Sequence, residues 1–243
     1  MTKISYITSC YNAENFLDGL IENILQQDYN NFELIIVDSD STDNSVEIIK
    51  YWENQDNRVK LLQQNNRTTY GTSWLVGWQH ATGDIISNTN TDDRSMPWRG
   101  NQVVMAYTKR KITRDIKPYA FYYGGYETRI DGIPVAKGVP PLFSVEDMTQ
   151  FFRCGVHIHW DDNIKKISNW DLMYKAANEY KSAFDYWLVL YFMKLGCIGM
   201  NINSCFSVYN QRKDSIEQIN KELNTFESLR AIETFFPESI AIQ

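Results

Sequence analysis

The strongest constraint on the fold is an alternation of apolar runs with amphipathic stretches over the first hundred residues. The clearest apolar run is Phe32 to Val37 (Phe-Glu-Leu-Ile-Ile-Val), which is typical of a strand covered on both faces. The remaining elements of this pattern are strands at 4–9, 59–62 and 84–88 and helices at 16–27, 44–54 and 71–81. Strands that alternate with helices in units of this size indicate an α/β fold with a mostly parallel, Rossmann-like sheet and right-handed crossovers.

Two of these predicted strands end in clusters of acids and hydroxyls. One cluster, 38–43, follows Val37, and the other, 90–93, follows the strand that contains Ile86. Because ligands of such sheets bind beyond the carboxyl ends of the strands, we predict a binding site at this edge.

The second half of the sequence is less regular. A hairpin is predicted from 119–129 and 133–136, around Asp131 and Gly132, and a short helix over 144–152. An apolar helix follows over 184–195, with Gly196 as its stop, and then one or two strands over 198–209. The tail from Ile216 has helical character.

Composition narrows the class of partner and the compartment. The net charge of −6 argues against nucleic acid or an anionic membrane as the main partner. The four cysteines are widely spaced without a Cys-x-x-Cys pair, which indicates neither a zinc site nor a disulfide framework. The sequence shows no secretory h-region and no apolar run of about 18 residues. We therefore expect a cytoplasmic protein without a membrane span.

Asp92 and Asp93, directly after a buried strand, are the most informative acidic pair. Two carboxylates there can hold a hard divalent cation, Mn²⁺ or Mg²⁺, which would neutralise a diphosphate. The alternative is an ordinary acidic turn. The position of the pair in a βα series whose earlier strand also ends in acids favours the metal site.

Two further aspartates have both a chemical and a structural interpretation. Asp38 could accept from the N3–H of a uracil or thymine ring or bind a ribose hydroxyl, or it could cap a helix. Asp185 begins an otherwise apolar helix. It could be a partly desolvated general base or an acid favoured by the helix dipole, and its position alone does not separate these two roles.

The region 157–160 and the basic pair near the end of the core are weaker candidates. His157 and His159 lie on one face of a predicted strand beside Trp160, without a matching third metal ligand. We therefore interpret them as structural or acceptor-contacting residues. Arg212, next to Lys213, could pair with phosphate oxygens.

Four motifs together resemble the ordered signatures of family 2 glycosyltransferases with the GT-A fold. These motifs are Thr8-Ser9-Cys10-Tyr11-Asn12-Ala13-Glu14, Ile35-Ile36-Val37-Asp38-Ser39-Asp40-Ser41-Thr42-Asp43, Ala81-Thr82-Gly83-Asp84-Ile85 and Asn90-Thr91-Asp92-Asp93-Arg94. Each motif is weak alone, but their order and spacing match over about the first hundred residues. The helix that begins near Asp185 and ends at Gly196 is similar to the acidic-base helix of that family.

The resemblance implies an inverting transferase that moves a sugar from a nucleotide-diphosphate donor to a hydroxyl acceptor, a glycan or a lipid-linked molecule. Asp92 and Asp93 would serve the ribose, the diphosphate and the metal, and Asp185 would deprotonate the acceptor. The remaining donor-binding candidates are Thr8, Tyr11, Glu14, Asp38, Asp40, Arg67 and Arg212. The expected organisation is a donor-binding half over 1–100, an acceptor-binding and catalytic-base half over 101–215, and a helical tail over 216–243.

The sequence departs from the family pattern at three places. Asn90 stands where the metal motif usually has its first acid, and Arg212 stands where a metal-binding His is often found. Trp187 and Tyr191 occupy the places of a second acid and an Arg in the acidic-base helix. These departures leave Asp185 as the single base candidate and would let Arg212 neutralise the leaving diphosphate directly.

Two other functions remain open at this point. A nucleotidyltransferase would need a Gly-rich, basic phosphate loop after the first strand, and residues 11–14 lack one. A degenerate, non-catalytic module that binds a nucleotide sugar or a glycan fits the departures at Asn90 and Arg212. The acidic strand ends with Asp38 favour a uridine or thymidine donor.

Overall fold

The structure is a computed structural model that describes residues 1–113, 120–130, 132–138, 144, 158–211 and 221–238. The described strands are β1 (Ile4–Cys10), β2 (Phe32–Ser39), β3 (Val59–Gln64), β4 (Ile85–Thr89), β5 (Arg94–Ser95), β6 (Ala120–Ile130), β7 (Ile133–Gly138), β8 (His159–Asp161) and β9 (Ile198–Gln211). The α-helices are α1 (Glu14–Leu25), α2 (Ser45–Gln55), α3 (Tyr70–His80), α4 (Arg99–Thr113), α5 (Trp170–Glu179), α6 (Phe184–Lys194) and α7 (Lys221–Phe235), and a 3₁₀ helix spans Asp162–Lys166.

The strands form one mixed sheet in the order β3-β2-β1-β4-β8-β6-β9-β5, and β7 pairs with β6. β1 lies between β2 and β4 and is parallel to both, while β3 continues the parallel part beyond β2. The carboxyl ends of β1, β2, β3 and β4 therefore meet at one edge. β8 pairs antiparallel with both β4 and β6 and joins this parallel part to the second half of the chain.

The helices cover both faces of the sheet, which explains the continuous apolar run of β2. Ile35 and Val37 pack into the core formed with α3, α5, α6 and α7. Leu34 and Ile36 pack into a second core formed with α1, α2 and α4. The predicted α/β architecture with a mostly parallel first half is confirmed.

The first three helices and four strands lie where the sequence pattern places them, within a few residues at the ends. The predicted hairpin is confirmed as the antiparallel pair β6 and β7, with Gly132 at a φ of 77° in its turn. The predicted strands over 198–209 form the single long strand β9, which is parallel to β6 and antiparallel to β5. The helix predicted over 144–152 falls on residues outside the described ranges, apart from Ser144.

The sequence pattern does not predict α4, because arginines occupy part of its buried face. Arg99, Val103, Tyr107 and Arg110 recur at helical spacing and are all buried. Arg110 forms an ion pair with the buried Asp161, at 2.9 Å between Nη1 and Oδ2. Two cations among four inward positions hide the apolar stripe on which the helix prediction depends.

Within the described ranges, no helix has both the length and the apolar character that crossing a membrane requires.

Candidate active site

Two loops at the carboxyl ends of β1 and β2 are joined by hydrogen bonds between side chains and backbone. Asn12 N–H donates to Ser41 Oγ at 2.9 Å, and Thr42 N–H donates to Asn12 Oδ1 at 2.8 Å. Asp43 accepts from Glu14 N–H at 3.1 Å and from Ser45 N–H at 3.0 Å, and so it connects the starts of α1 and α2. These reciprocal bonds fix the loops relative to each other.

The same loops contain the two non-glycine residues with positive φ among the described positions, Asn12 at 47° and Asp40 at 62°. Left-handed backbone is costly for residues with a Cβ, although Asn and Asp tolerate it best. Such strain persists where the surroundings impose it, and it concentrates at functional sites.

Tyr11 and Arg67 form a flat platform at this edge. The guanidinium carbon of Arg67 lies 3.3 Å from the centre of the Tyr11 ring, and both side chains are exposed. Tyr11 follows β1 and Arg67 follows β3, with β2 between these two strands. The stacked pair therefore spans the end of β2 and offers an aromatic and cationic surface to a planar ligand.

Residues 67–70, which we term the connecting segment, join this platform to the start of α6. Thr68 N–H donates to Ser39 Oγ at 2.5 Å, at the end of β2. Thr69 Oγ1 accepts from Thr72 N–H at 3.2 Å and so caps α3. Tyr70 Oη accepts from Phe184 N–H at 2.9 Å. The segment thus contacts the platform at one end and the helix of Asp185 at the other.

Asp185 lies in the first turn of α6 and is half-buried. Burial, and then the negative charge of Asp185, raise the pKa of Tyr70 well above its usual value. The Tyr70 phenol is therefore protonated at neutral pH. Since Tyr70 Oη accepts from the amide of Phe184, which directly precedes Asp185 in the chain, the start of the helix that carries Asp185 lies at the end of the connecting segment.

The Asp92–Asp93 turn is held by the end of β9. Asn210 N–H donates to Asp93 Oδ1 at 3.2 Å, and Asn210 Nδ2 donates to the backbone oxygen of Asp92 at 2.7 Å. Asn90 Nδ2 donates to the other carboxylate oxygen of Asp93 at 3.2 Å. Asp93 is buried whereas Asp92 is half-buried. The arrangement therefore leaves the carboxylate of Asp92 more accessible to a ligand.

Two arginines donate to backbone oxygens of the turn and of the strand before it. Arg94 Nη1 donates to the backbone oxygens of Asp93 at 2.8 Å and Thr91 at 3.2 Å. Arg99, which is fully buried, donates from Nη2 to the backbone oxygen of Asn88 at 3.1 Å. Burial lowers the pKa of Arg99 to about 10, so the guanidinium remains charged at neutral pH.

The residues of this turn fit a divalent cation that is shared with a diphosphate. Within the described ranges there is no group of three or more His, Cys, Asp and Glu side chains that could hold a metal alone. Mg²⁺ and similar ions, however, often bind one or two carboxylates and take their other ligands from phosphate oxygens and water. Asp92, with Asp93 beside it, supplies a donor set of this kind.

Several predicted donor residues have structural partners. Asp38 is fully buried, and its two oxygens accept from Ser41 N–H at 3.1 Å and Ser41 Oγ at 2.5 Å. Glu14 Oε2 accepts from both nitrogens of Asn44, at 3.0 and 2.8 Å. Both carboxylates thus shape the two loops, and each oxygen of Asp38 already accepts one hydrogen bond from Ser41.

Two other donor candidates lie at the same edge. The hydroxyl of Thr8 is buried, and it finds no hydrogen-bond partner within the part of the chain that the structure describes. Asp40 is exposed in the loop after β2.

His159 and Trp160, the acceptor candidates within the described residues, are buried in the core, so the structure favours the structural interpretation of His159 over contact with an acceptor. His159 is fully buried, and its Nε2 accepts from Arg99 Nε at 3.0 Å. Trp160 packs against Trp78 and Phe192 in the core. His157 and Arg212 lie outside the described residues, although Asn210, two positions before Arg212, contacts the acidic turn.

The sequence interpretation missed several residues that organise this edge, namely Ser39, Thr68, Tyr70, Arg94 and Asn210. Ser39 and Thr68 carry short polar side chains next to strand ends, which is a signal that many loops share. Tyr70 and Asn210 act through contacts between elements 114 and 117 positions apart, and no local pattern reports such contacts.

Comparison with known proteins agrees with this geometry. The family model for Glycosyl transferase family 2 matches residues 5–127, just over half of the 243-residue chain. The chain is 32% identical over 139 residues to WfgD of Escherichia coli, a UDP-Glc:alpha-D-GlcNAc-diphosphoundecaprenol beta-1,3-glucosyltransferase. That match covers 57% of this chain and 51% of WfgD. The chain spans about half, or less, of the length of the curated relatives it matches.

Solved structures show the fold at lower identity. TarS 1–349 of S. aureus in complex with UDP aligns with a TM-score of 0.62 at 18% identity, over 96% of this chain and 64% of that chain. The mannosyltransferase PcManGT from Pyrobaculum calidifontis, in complex with GDP-Man and Mn²⁺, aligns with a TM-score of 0.63 at 14% identity, over 94% and 64% of the two chains. The chain belongs to glycosyl transferase family 2 and has the GT-A fold.

Proposed function

We propose that this chain transfers a sugar from a UDP-sugar to an acceptor hydroxyl with inversion at the anomeric carbon. The observation that carries the proposal is the connecting segment. It begins with Arg67, which stacks on Tyr11 beside the strand ends, and ends with Tyr70, which binds the start of the helix of Asp185. The nucleobase platform and the helix of the candidate general base are thereby connected through residues 67–70.

The chemistry that we propose is a single displacement. The acceptor oxygen forms a bond to the anomeric carbon while the bond from that carbon to the diphosphate oxygen breaks. The acceptor proton passes to Asp185, and UDP leaves with the bonding electron pair. One base is sufficient for this reaction, and the half-buried carboxylate at the start of α6 supplies it.

The diphosphate would lie at the Asp92–Asp93 turn. A divalent metal bound there would neutralise the charge that develops on the leaving group. Asp92, the more accessible acid, would be its main protein ligand. Asp93 would maintain the conformation of the turn by accepting hydrogen bonds from Asn210 and Asn90. The Mn²⁺ in the complex of PcManGT, which has the same fold, supports this assignment.

UDP as the nucleotide is supported by two similar proteins. WfgD is named for a UDP-glucose donor, and TarS was solved in complex with UDP. The name of WfgD also contains a diphosphoundecaprenol-linked sugar as acceptor. We accordingly propose a sugar hydroxyl, within a glycan or on a lipid carrier, as the acceptor of this chain.

The test is a calorimetric titration of UDP, GDP and dTDP, first with Mn²⁺ and then with EDTA. Asp92→Asn is compared with Asp171→Asn, a matched control in an exposed acid of α5. We expect UDP to bind most tightly, to depend on Mn²⁺ in the wild type and the control, and to lose that dependence in Asp92→Asn.

Each other outcome has a defined meaning. Tighter binding of GDP than of UDP would contradict the assignment of a uridine donor. Equally tight binding of UDP with EDTA and with Mn²⁺ would contradict the proposed metal dependence. Binding of UDP without release of UDP from any UDP-sugar tried would favour the non-catalytic module instead. The donors to be tried first are UDP-glucose and UDP-N-acetylglucosamine.

A further inference from the structure

A buried carboxylate from the C-terminal helix lies at the start of the helix of Asp185. Glu227 of α7 is only 3% exposed. Its Oε1 accepts from Lys181 N–H at 3.0 Å, and its Oε2 accepts from Ser182 N–H at 2.8 Å and Ala183 N–H at 3.0 Å. These three amides immediately precede α6, where Asp185 occupies the first turn.

The position of Glu227 in its own helix indicates a specific role. The buried residues of α7 are Glu227, Ala231 and Ile232, so the acid occupies a position on the face that packs into the core. A carboxylate is costly to bury unless hydrogen bonds replace its water. Here the backbone N–H groups of Lys181, Ser182 and Ala183 replace that water. The N–H groups at the start of a helix also favour a negative charge.

The same helix makes further contacts with α6 and with the loop before it. Asn224 Nδ2 donates to the backbone oxygen of Ser182 at 2.9 Å. The ring of Phe235 meets that of Trp187 edge-on, with 5.3 Å between their centroids. Tyr70, the first residue of α3, accepts from Phe184 N–H. The backbone from 181 to 184 is therefore held between α7 and α3.

We propose that Glu227 is a positioning residue for Asp185. It fixes the backbone that leads into α6 and thereby sets the place of the base relative to the acceptor hydroxyl. This inference rests on the proposed function, because it presupposes that Asp185 accepts the proton. Glu227 lies outside residues 5–127, where the family model matches, so the role is read from the contacts of this chain.

The expected effect is a loss of turnover with donor binding preserved. A displacement of about 1 Å at a reacting group can reduce a rate by about 100-fold. Glu227 touches neither the Tyr11 platform nor the Asp92–Asp93 turn in any contact of the described residues. We therefore expect kcat to fall about 10- to 100-fold in Glu227→Ala, with the Kd for UDP within two-fold of wild type.

The experiment compares Glu227→Ala and Glu227→Gln with Arg230→Ala. Arg230 lies on the same helix and pairs with Glu179 at 3.1 Å, and it is the matched control for the docking of α7. Glutamine keeps the size of the side chain and one accepting oxygen, so it should restore part of the lost kcat. Amide hydrogen exchange at 181–183 should accelerate in both Glu227 variants and remain unchanged in Arg230→Ala.

A double mutant separates a role through Asp185 from a general loss of folding. In the Asp185→Asn background, Glu227→Ala should cause no further loss of kcat, because the group that it positions is already inactive. The inference is overturned if Glu227→Ala retains the wild-type kcat while Asp185→Asn loses it. It is also overturned if Arg230→Ala lowers kcat as much as Glu227→Ala does, or if Glu227→Ala weakens UDP binding by the same factor as it lowers kcat. Retention of the wild-type kcat by Asp185→Asn would instead contradict the proposed function.

Discussion

The guanidinium of Arg67 stacks on the ring of Tyr11 across the end of β2, with 3.3 Å between the Cζ atom and the ring centre. The two residues are 56 positions apart in the chain and are brought together because β1 and β3 flank the same strand. A planar nucleobase that binds at this edge would contact the Tyr11–Arg67 pair, which combines an aromatic ring with a cation.

Removal of the Tyr11 ring should weaken nucleotide binding. The stacking of a nucleobase on an aromatic side chain is worth about 1–3 kcal/mol, so Tyr11→Ala should raise the Kd for UDP about 5- to 150-fold. Tyr51→Ala, in an exposed tyrosine of α2, is the control and should bind UDP as the wild type does. Wild-type UDP affinity in Tyr11→Ala, measured by calorimetry, would exclude this platform as the base site.

Asp92 and Asp93 should respond differently to amide substitution. Asp92→Asn should lose metal-dependent UDP binding without a change in Tm, because its carboxylate is the more accessible one. Asp93→Asn should lower the free energy of unfolding by about 1–2 kcal/mol, since an amide cannot accept at both ends from Asn210 and Asn90. Thermal unfolding and UDP titration of both variants check this. The reverse assignment of the two effects would contradict our account of the turn.

Gly71 should not tolerate a side chain. A Cβ at this position would lie 2.4 Å from Cδ1 of Phe184, whose ring is fully buried in the core. Gly71→Ala should therefore destabilise the protein by about 1–3 kcal/mol and displace the start of α6. Thr72→Ala, in the same turn of α3, serves as the control. Equal unfolding midpoints for the two variants in urea would show that the Phe184 ring adapts.

Glu33 should make the protein sensitive to acid. Burial raises the pKa of this carboxyl, but hydrogen bonds from Lys60, Ser5, Thr82 and Lys3 outweigh it and lower the pKa to about 2. A folded-state pKa below the unfolded value of about 4.3 gives stability that is fully present above pH 4.3 and lost as the pH falls towards 2. The full contribution is about 3 kcal/mol.

The measurement for this prediction is the free energy of unfolding in urea between pH 6 and pH 3. In the wild type this free energy should decrease as the pH is lowered from 6 to 3. In Glu33→Gln it should be lower at pH 6 and should change less with pH. A Glu33→Gln profile parallel to that of the wild type would show that other carboxyls control the acid sensitivity.

The first half of the fold could be predicted from the sequence because its signals are local. Each strand from β1 to β4 contains a short apolar run, and β1, β2 and β3 are each followed by a helix with an apolar face. The helix α4 could not be predicted in the same way, because Arg99 and Arg110 occupy its buried face and are compensated by His159 and Asp161 from distant β8. Such compensation becomes visible only when the elements are packed.

In the candidate site, too, the sequence predicts what depends on local motifs but not what depends on contacts between distant elements. Tyr11, Asp92, Asp93 and Asp185 could be named from motifs, and the structure places Tyr11 in direct contact with Arg67, a donor candidate that lies outside those motifs. The exposure of Asp92 relative to Asp93 could not be read from two adjacent aspartates, because it depends on Asn210 at the end of β9. The sequence likewise leaves a structural and an acceptor-contacting role open for His159, and its burial as a hydrogen-bond acceptor for Arg99 becomes visible only in the packed fold.

The most direct test of the proposed mechanism is the kcat for UDP release in the wild type and in Asp185→Asn. UDP-glucose and UDP-N-acetylglucosamine are supplied as donors, with water or an added hydroxyl acceptor. A lost general base reduces a rate by about 10²- to 10⁴-fold, so kcat should fall by that factor while the Kd for UDP stays within two-fold. A variant that releases UDP at the wild-type rate would contradict the assignment of Asp185 as the base.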